Sequence, residues 1–238
     1  MTFKEGDFVK IDYSIRRNSD GTVVRTTERQ VAEKNGIYDK ESVYTPQLVV
    51  LGKDSTIKGI QNALMDMSVG QKKTIELQPA EAFGERDKEL VRVMPLSDFR
   101  KRDMEPVPGM QIDLDGIIAT VVSVNSGRVM VDANHPLAGE KITCEISVIS
   151  KVDDGASKVK AAFERYGIEP SSAEMIGNAA KVSFGAKIKK DSRFLIDKAN
   201  AIAFAFNCID VLNTVKVEEE YSRAENKPQS LEESDSEK

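Results

Sequence analysis

The stretch LGKDSTIKGIQNALMDMSVGQKKTIELQPAEAFG, Leu51 to Gly84, constrains the fold more than any other part of the chain. Ile57, Ile60, Leu64 and Met67 recur at steps of three and four, which places them on one face of a helix of about three turns. Ser68 to Gln71 then stops that helix, with Gly70 supplying the permissive backbone of the turn. Lys73-Thr74-Ile75-Glu76-Leu77 alternates polar and apolar, as a strand with one wet face does. The pattern predicts an amphipathic helix laid across an antiparallel sheet.

The flanking segments supply the rest of such a sheet. Val9, Ile11, Tyr13 and Ile15 alternate with Lys10, Asp12, Ser14 and Arg16, the period of a half-buried strand. Asn18 to Gly21 is a turn with Gly21 at its positive-φ position, and Thr22 to Thr27 is the returning strand. Glu28 to Glu41 is polar and reads as a loop or a short helix; Gln47 to Leu51 is a further strand. After Gly84 the character changes. LVRVMPLSDF alternates and stops, the Lys and Arg of FRKRD (Phe99 to Asp103) read as solvated, and two hairpin signals follow, at Asp115-Gly116 and at Asn125-Ser126-Gly127. Residues 85–138 are thus expected to form a small all-β domain.

Beyond residue 152, Asp153 to Gly155 reads as a linker and Ser157 as the cap of a helix ending at Gly167, with Val159, Ala162, Phe163 and Tyr166 on its apolar face. Ala179 to Phe184 is a strand. Arg193 to Leu212 is the longest helix pattern, so apolar that a sheet should cover most of it; any face left over is a candidate homodimer contact. Asn213 to Tyr221 is a last strand, with Val215 and Val217 inward. Residues 155–222 are expected to form a C-terminal α/β domain and 223–238 an acidic disordered tail.

Charge narrows the function classes. From Val215 onward eight acids face four bases, so most of the net charge of −5 lies there and the body is near neutral. That leaves no basic field to hold nucleic acid. The longest apolar runs fall short of a membrane span, and the N-terminal MTFKEGDF has no apolar signal core, so a cytoplasmic protein is expected. Cys144 and Cys208 fall in separate expected domains and read as free buried thiols. With a single His and no Cys-x-x-Cys, neither a metal nor a cofactor is expected; His135, in NHPLAG, is read as fixing a hinge.

The wording IKGIQNALMDMSVGQ, followed by Ala82-Phe83-Gly84, resembles the signature of the FKBP family of peptidyl-prolyl cis-trans isomerases. GDFVKIDYSI and DGTVVRTT stand where that family has its first core strands. NHPLAGEKITCEISVI, Asn134 to Ile149, is similar to the return strand of the SlyD-like branch. The resemblance implies an α+β fold with a discontinuous isomerase domain, 1–84 and 139–152, interrupted by an insert-in-flap domain, 85–138, which in that branch binds unfolded polypeptide. The C-terminal part resembles the α/β domain of long archaeal members. The partners it implies are unfolded or proline-containing polypeptides.

By position the family's pocket falls on Tyr13, Val24, Arg25, Ile57, Ile60, Phe83 and Cys144 as catalytic lining, with Gln47, Val49 and Thr56 binding substrate. From periodicity alone Tyr13, Ile57 and Ile60 are ordinary core. The pocket departs from the family, which usually has Phe-Asp where Val24-Arg25 stands, Tyr for Phe83, an aromatic for Cys144 and an apolar residue for Gln47. Those departures imply a weak isomerase or one of altered preference. The alternative is a holdase chaperone or assembly factor that keeps the fold without the catalysis.

Overall fold

The first strand is paired along both edges. In the computed structural model, which describes residues 2–222 apart from 115, 187 and 190, β1 (Phe8–Arg17) pairs along its whole length with β9 (Ile142–Val152), antiparallel. Along its other edge, β3 (Gln47–Val50) covers its first half and β2 (Val23–Thr26) its second. β4 (Lys72–Leu77) adds to the far side of β9, completing a five-stranded antiparallel sheet. The alternation read along β1 sets its faces, because successive side chains of a strand point to opposite sides. Val9, Ile11 and Ile15 are wholly buried, while Lys10 and Asp12 are only partly so.

Helix α2 (Lys58–Met65) lies on that sheet and is shorter than the three turns expected. It ends at Asp66, and Met67 reaches the core from the turn that follows, closed by Met67 N–H to Leu64 O and Gly70 N–H to Val148 O. The helix sits very close to the sheet at Gly59, where a Cβ would lie 2.2 Å from Leu77 Cδ2. The polar stretch after β2 contains a short helix, α1 (Arg29–Lys34).

The segment after Gly84 forms its own four-stranded sheet, in order β5 (Val91–Pro95), β8 (Arg128–Asp132), β7 (Ile117–Asn125) and β6 (Gln111–Leu114). Ser126 and Gly127 both have positive φ, 48° and 71°, as a tight turn between β7 and β8 requires. The segment is not purely β. A short helix, α3 (Leu96–Arg100), carries Phe99 into a core with Ile112, Ala119, Val121, Val129 and Val131, while Arg100, Lys101 and Arg102 stay exposed. Its two ends meet, Gly139 N–H donating to Gly84 O at 2.8 Å. Asp87 N–H donates to Asn134 Oδ1, Asn134 Nδ2 donates to Asp87 O, and Arg86 pairs with Asp132.

Contacts break between Val152 and Asp153, where a second compact unit begins. Its first helix, α4 (Gly155–Glu164), is capped by Asp154, whose Oδ1 accepts from Ser157 N–H at 2.9 Å. The cap is therefore Asp154 and not Ser157, and Gly155 is the first helical residue instead of linker. β10 (Ser172–Ile176), unforeseen in the sequence, pairs antiparallel with β11 (Ala179–Phe184). α5 (Ser192–Cys208) provides the crossover that lets β12 (Thr214–Glu219) run parallel to β11. Phe184 joins the layers, its ring centroid 5.6 Å from that of Phe163 on α4 and 5.3 Å from that of Phe194 on α5. The expectation that a sheet covers most of α5 fails: Phe194, Ala201, Ala205 and Cys208 are buried, but Leu195, Ile196 and Phe206 are 52%, 62% and 40% exposed. Three strands shared with α4 are too narrow to cover both sides of so apolar a helix. The tail, 223–238, for which disorder is expected, lies outside the described residues.

Gly59 yields a stability test. Ala gains at most about 1 kcal/mol over Gly in a helix, and less in the first turn where Gly59 stands, but overpacking a tight core contact costs about 1–3 kcal/mol. Gly59→Ala is therefore expected to lower the denaturation midpoint in the native background. In a Leu77→Ala background, where the opposing methyls are gone, the same change should become neutral or stabilising. Equal effects in both backgrounds would show that the helix is free to shift.

Candidate active site

The side chains named from the sequence come from separate elements. Tyr13 stands on β1, Val24 and Arg25 on β2, Val49 on β3, Ile60 on α2 and Cys144 on β9, with Ile57 at the start of α2 and Phe83 in the turn after β4. Tyr13, Val49, Ile60 and Cys144 belong to one buried cluster, against which Val24, Ile57 and Phe83 pack while partly exposed. A rim of three half-covered apolar side chains over a buried floor results. Val49 and Cys144 expose no surface, so they shape the floor from beneath.

Hydrogen bonds fix the frame. Thr27 Oγ1 accepts from Tyr13 N–H at 3.0 Å and donates to Asp12 Oδ1 at 2.8 Å, so the Tyr13 backbone is held from β2's end. The Tyr13 hydroxyl donates to Gln47 Oε1 at 2.9 Å, which makes Gln47 a partner of the cluster's tyrosine. Gln61 on α2 clips the loop before the helix: its Nε2 donates to Asp54 O and Thr56 O, and its Oε1 accepts from Gly52 N–H. The loop so held ends at Thr56, whose buried hydroxyl has no hydrogen-bond partner, and Ile57, whose N–H has no acceptor among the described residues.

The sequence places His135 at a hinge, and its Nδ1 accepts from Leu137 N–H at 3.1 Å. The structure adds a contact that the sequence does not reveal. The imidazole lies flat on Phe83, centroids 4.4 Å apart and planes 6° from parallel. The available signal was topological: Phe83 and His135 flank the two ends of one inserted segment, and those ends must meet. Burial and the nearby Arg25 hold the imidazole below its ordinary range. Arg25 also spans Tyr13, its guanidinium carbon 5.8 Å from the ring centroid.

Nothing at this site resembles acid–base or nucleophilic machinery. Burial pushes the Cys144 thiol up to about 12, so it stays protonated at neutral pH. Among the described residues no group of three or more His, Cys, Asp or Glu side chains is placed to hold a metal ion, and no helix is long and apolar enough to cross a membrane.

Comparison with known proteins places this arrangement. A family model described as FKBP-type peptidyl-prolyl cis-trans isomerase matches residues 1–98, and one described as FKBP26, IF domain, matches residues 92–137. The chain is 37% identical over 145 residues to the short-type peptidyl-prolyl cis-trans isomerase of Methanocaldococcus jannaschii, covering 61% of this chain and 91% of that one. It is 30% identical over 133 residues to the FKBP-type isomerase SlyD of Pasteurella multocida, covering 54% and 66%. An FKBP-type 16 kDa isomerase of Escherichia coli is 29% identical over 108 residues, covering 44% and 72%. The chain belongs to the FKBP-type peptidyl-prolyl cis-trans isomerases, in their SlyD-like, insert-in-flap branch.

Proposed function

We propose that the apolar cluster around Tyr13 and Phe83 is the isomerase pocket, that it acts by shape and exclusion of water, and that the insert holds unfolded polypeptide beside it. The observation that carries the reading is the convergence of Tyr13, Val24, Ile57, Ile60 and Phe83 on one cluster from separate parts of the chain. Rotation about an X-Pro bond is slow because twisting the amide forfeits its conjugation. The planar amide is the more charge-separated form, so moving it from water to apolar walls disfavours it relative to the twisted one. No proton moves. The Ile57 N–H supplies a donor for a substrate carbonyl, while Gln47 keeps the Tyr13 hydroxyl oriented.

Two grooves on the insert support the second part. One, of about 260 Å³, is floored by Met94, Phe99, Met104 and Leu114; the other, of about 420 Å³, includes Leu96, Met104, Pro106 and Val124. Methionine is unbranched and polarisable, so such grooves adapt to varied apolar side chains. Val93, Val107, Ile117 and Ile118 are each more than half exposed on the same segment. The exposed stripe on α5, Leu195, Ile196 and Phe206, supports a homodimer through the C-terminal unit.

Deleting 85–138 and joining Gly84 to Gly139 by a short turn tests the division of labour, since those residues already touch. The shortened protein, which also loses the His135 ring from Phe83, should keep tetrapeptide isomerisation within about ten-fold, ~1.4 kcal/mol, but lose aggregation suppression and nearly all activity on refolding proteins. Equal loss of all three would place polypeptide binding elsewhere.

The imidazole beside Phe83 gives a pH signature. Its pKa is lower folded than unfolded, so its contribution to stability is complete above its ordinary pKa and is lost as pH falls through and below that value. His135 is the chain's single histidine, so His135→Phe, which keeps an aromatic on Phe83, removes this titration. Urea midpoints of native and variant protein should converge in the variant's favour from pH 7.5 to pH 5; parallel curves would contradict the shift. For the α5 stripe, light scattering should give a dimeric mass for the full chain and a monomeric one after truncation at Asp154. A monomeric full chain at high concentration would remove the dimer.

A further inference from the structure

Arg25 has no counter-charge among the described residues, and unlike Arg16, whose guanidinium donates to Gly21 O, it has no hydrogen bond either. Arg17 pairs with Asp20, Arg29 with Glu33 and Arg86 with Asp132. Arg25, exposed and in register with Ile15 of β1, makes no ion pair or hydrogen bond among the described residues; its recorded partners are the Tyr13 ring and, through space, His135. Those two rings belong to the pocket's floor and wall, since His135 lies on Phe83. No carboxylate is among the groups acting on His135, and the polar group bonded to Tyr13, the Gln47 amide, is neutral. The charge facing this end of the cleft is therefore positive, in a chain whose formal net charge is −5.

A guanidinium over an aromatic face is partly pre-oriented by that contact while its N–H fork remains free to take a carboxylate through two parallel bonds. We propose that Arg25 is a specificity-determining residue that makes the enzyme favour X-Pro segments carrying an acidic side chain next to the proline and disfavour basic ones. This rests on the reading of the Tyr13–Phe83 cluster as the isomerase pocket. Because the guanidinium is exposed, the preference is modest: about two- to five-fold in kcat/KM for acidic over neutral, with a comparable penalty for basic. It weakens in high salt, which screens exposed charges over a few ångströms.

The test uses the full chain and two series of Ala-Xaa-Pro-Phe and Ala-Leu-Pro-Xaa peptides, with Xaa as Glu, Leu or Lys. The native protein should rank Glu above Leu above Lys in at least one series at low salt, and the spread should shrink at 1 M salt. Arg25→Gln should collapse the spread, Arg25→Lys should retain part of it, and Arg25→Glu should reverse the order. A flat native profile, or the native order persisting in Arg25→Gln, overturns the proposal. Phe83→Ala, a partly exposed position checked for folding by circular dichroism, serves as the control. If it isomerises neutral peptides as well as the native protein, the pocket reading itself fails; if it loses that activity while charge preference is absent, only the role of Arg25 falls.

Discussion

The isomerase body depends on one ladder between distant parts of the chain. β1 and β9 pair from Phe8 with Val152 to Arg17 with Ile142, partners 125 to 144 positions apart. Both edges of β1 are used, and the wholly buried Ile11 and Ile15 face a core that also takes Ile142, Cys144, Ile146 and Val148 from β9. Long-range pairing of this kind must first overcome loop-closure entropy. Residues 85–138 carry their own sheet, and their ends are held together by Gly139 N–H donating to Gly84 O. With its ends in contact, the segment need not separate β4 from β9, which pair along their length.

The same closure joins the insert to the proposed pocket. The polar side of the hinge is made of the reciprocal Asp87–Asn134 bonds and the Arg86–Asp132 pair, which fix direction as well as distance. On the pocket side the contact is the His135–Phe83 stack, which adds about 0.5–1.5 kcal/mol beyond its burial. The stack and the polar clamp thus stand side by side where the ends of the segment meet.

The sequence was most informative where periodicity and wording agreed. The alternation from Val9 to Ile15 and the run from Ile57 to Leu77 identify the sheet and the helix upon it, because each apolar residue there meets a single layer. It misled where local chemistry decides. Asp154 and Ser157 are both competent caps, and only backbone geometry selects Asp154. β10 contains Ala173 and Met175 but no β-branched residue until Ile176, so its strand character comes from pairing with β11. For α5 the composition was read correctly as too apolar for solvent, but coverage depends on sheet width, which no pattern within the helix encodes. The candidate site followed suit. Family position named its residues, yet the His135–Phe83 stack needed the topology, and the pairing of Tyr13 with Gln47 needed the register of β1 with β3.

A site that uses no titrating group for its chemistry has few ways to discriminate among substrates. Shape selects weakly, because an apolar cup that accepts proline accepts many neighbours, with differences of about 1–3 kcal/mol per methylene at most. Long-range steering contributes little here, since most of the formal charge lies beyond residue 215 and the body is near neutral. Discrimination is left to groups that touch the residues beside the proline. In this cleft the polar groups are an amide, a tyrosine hydroxyl already engaged, an imidazole whose pKa is lowered by burial and by Arg25, and the guanidinium of Arg25 itself. Of these the guanidinium carries the formal charge at neutral pH, which is why the proposed preference is assigned to it.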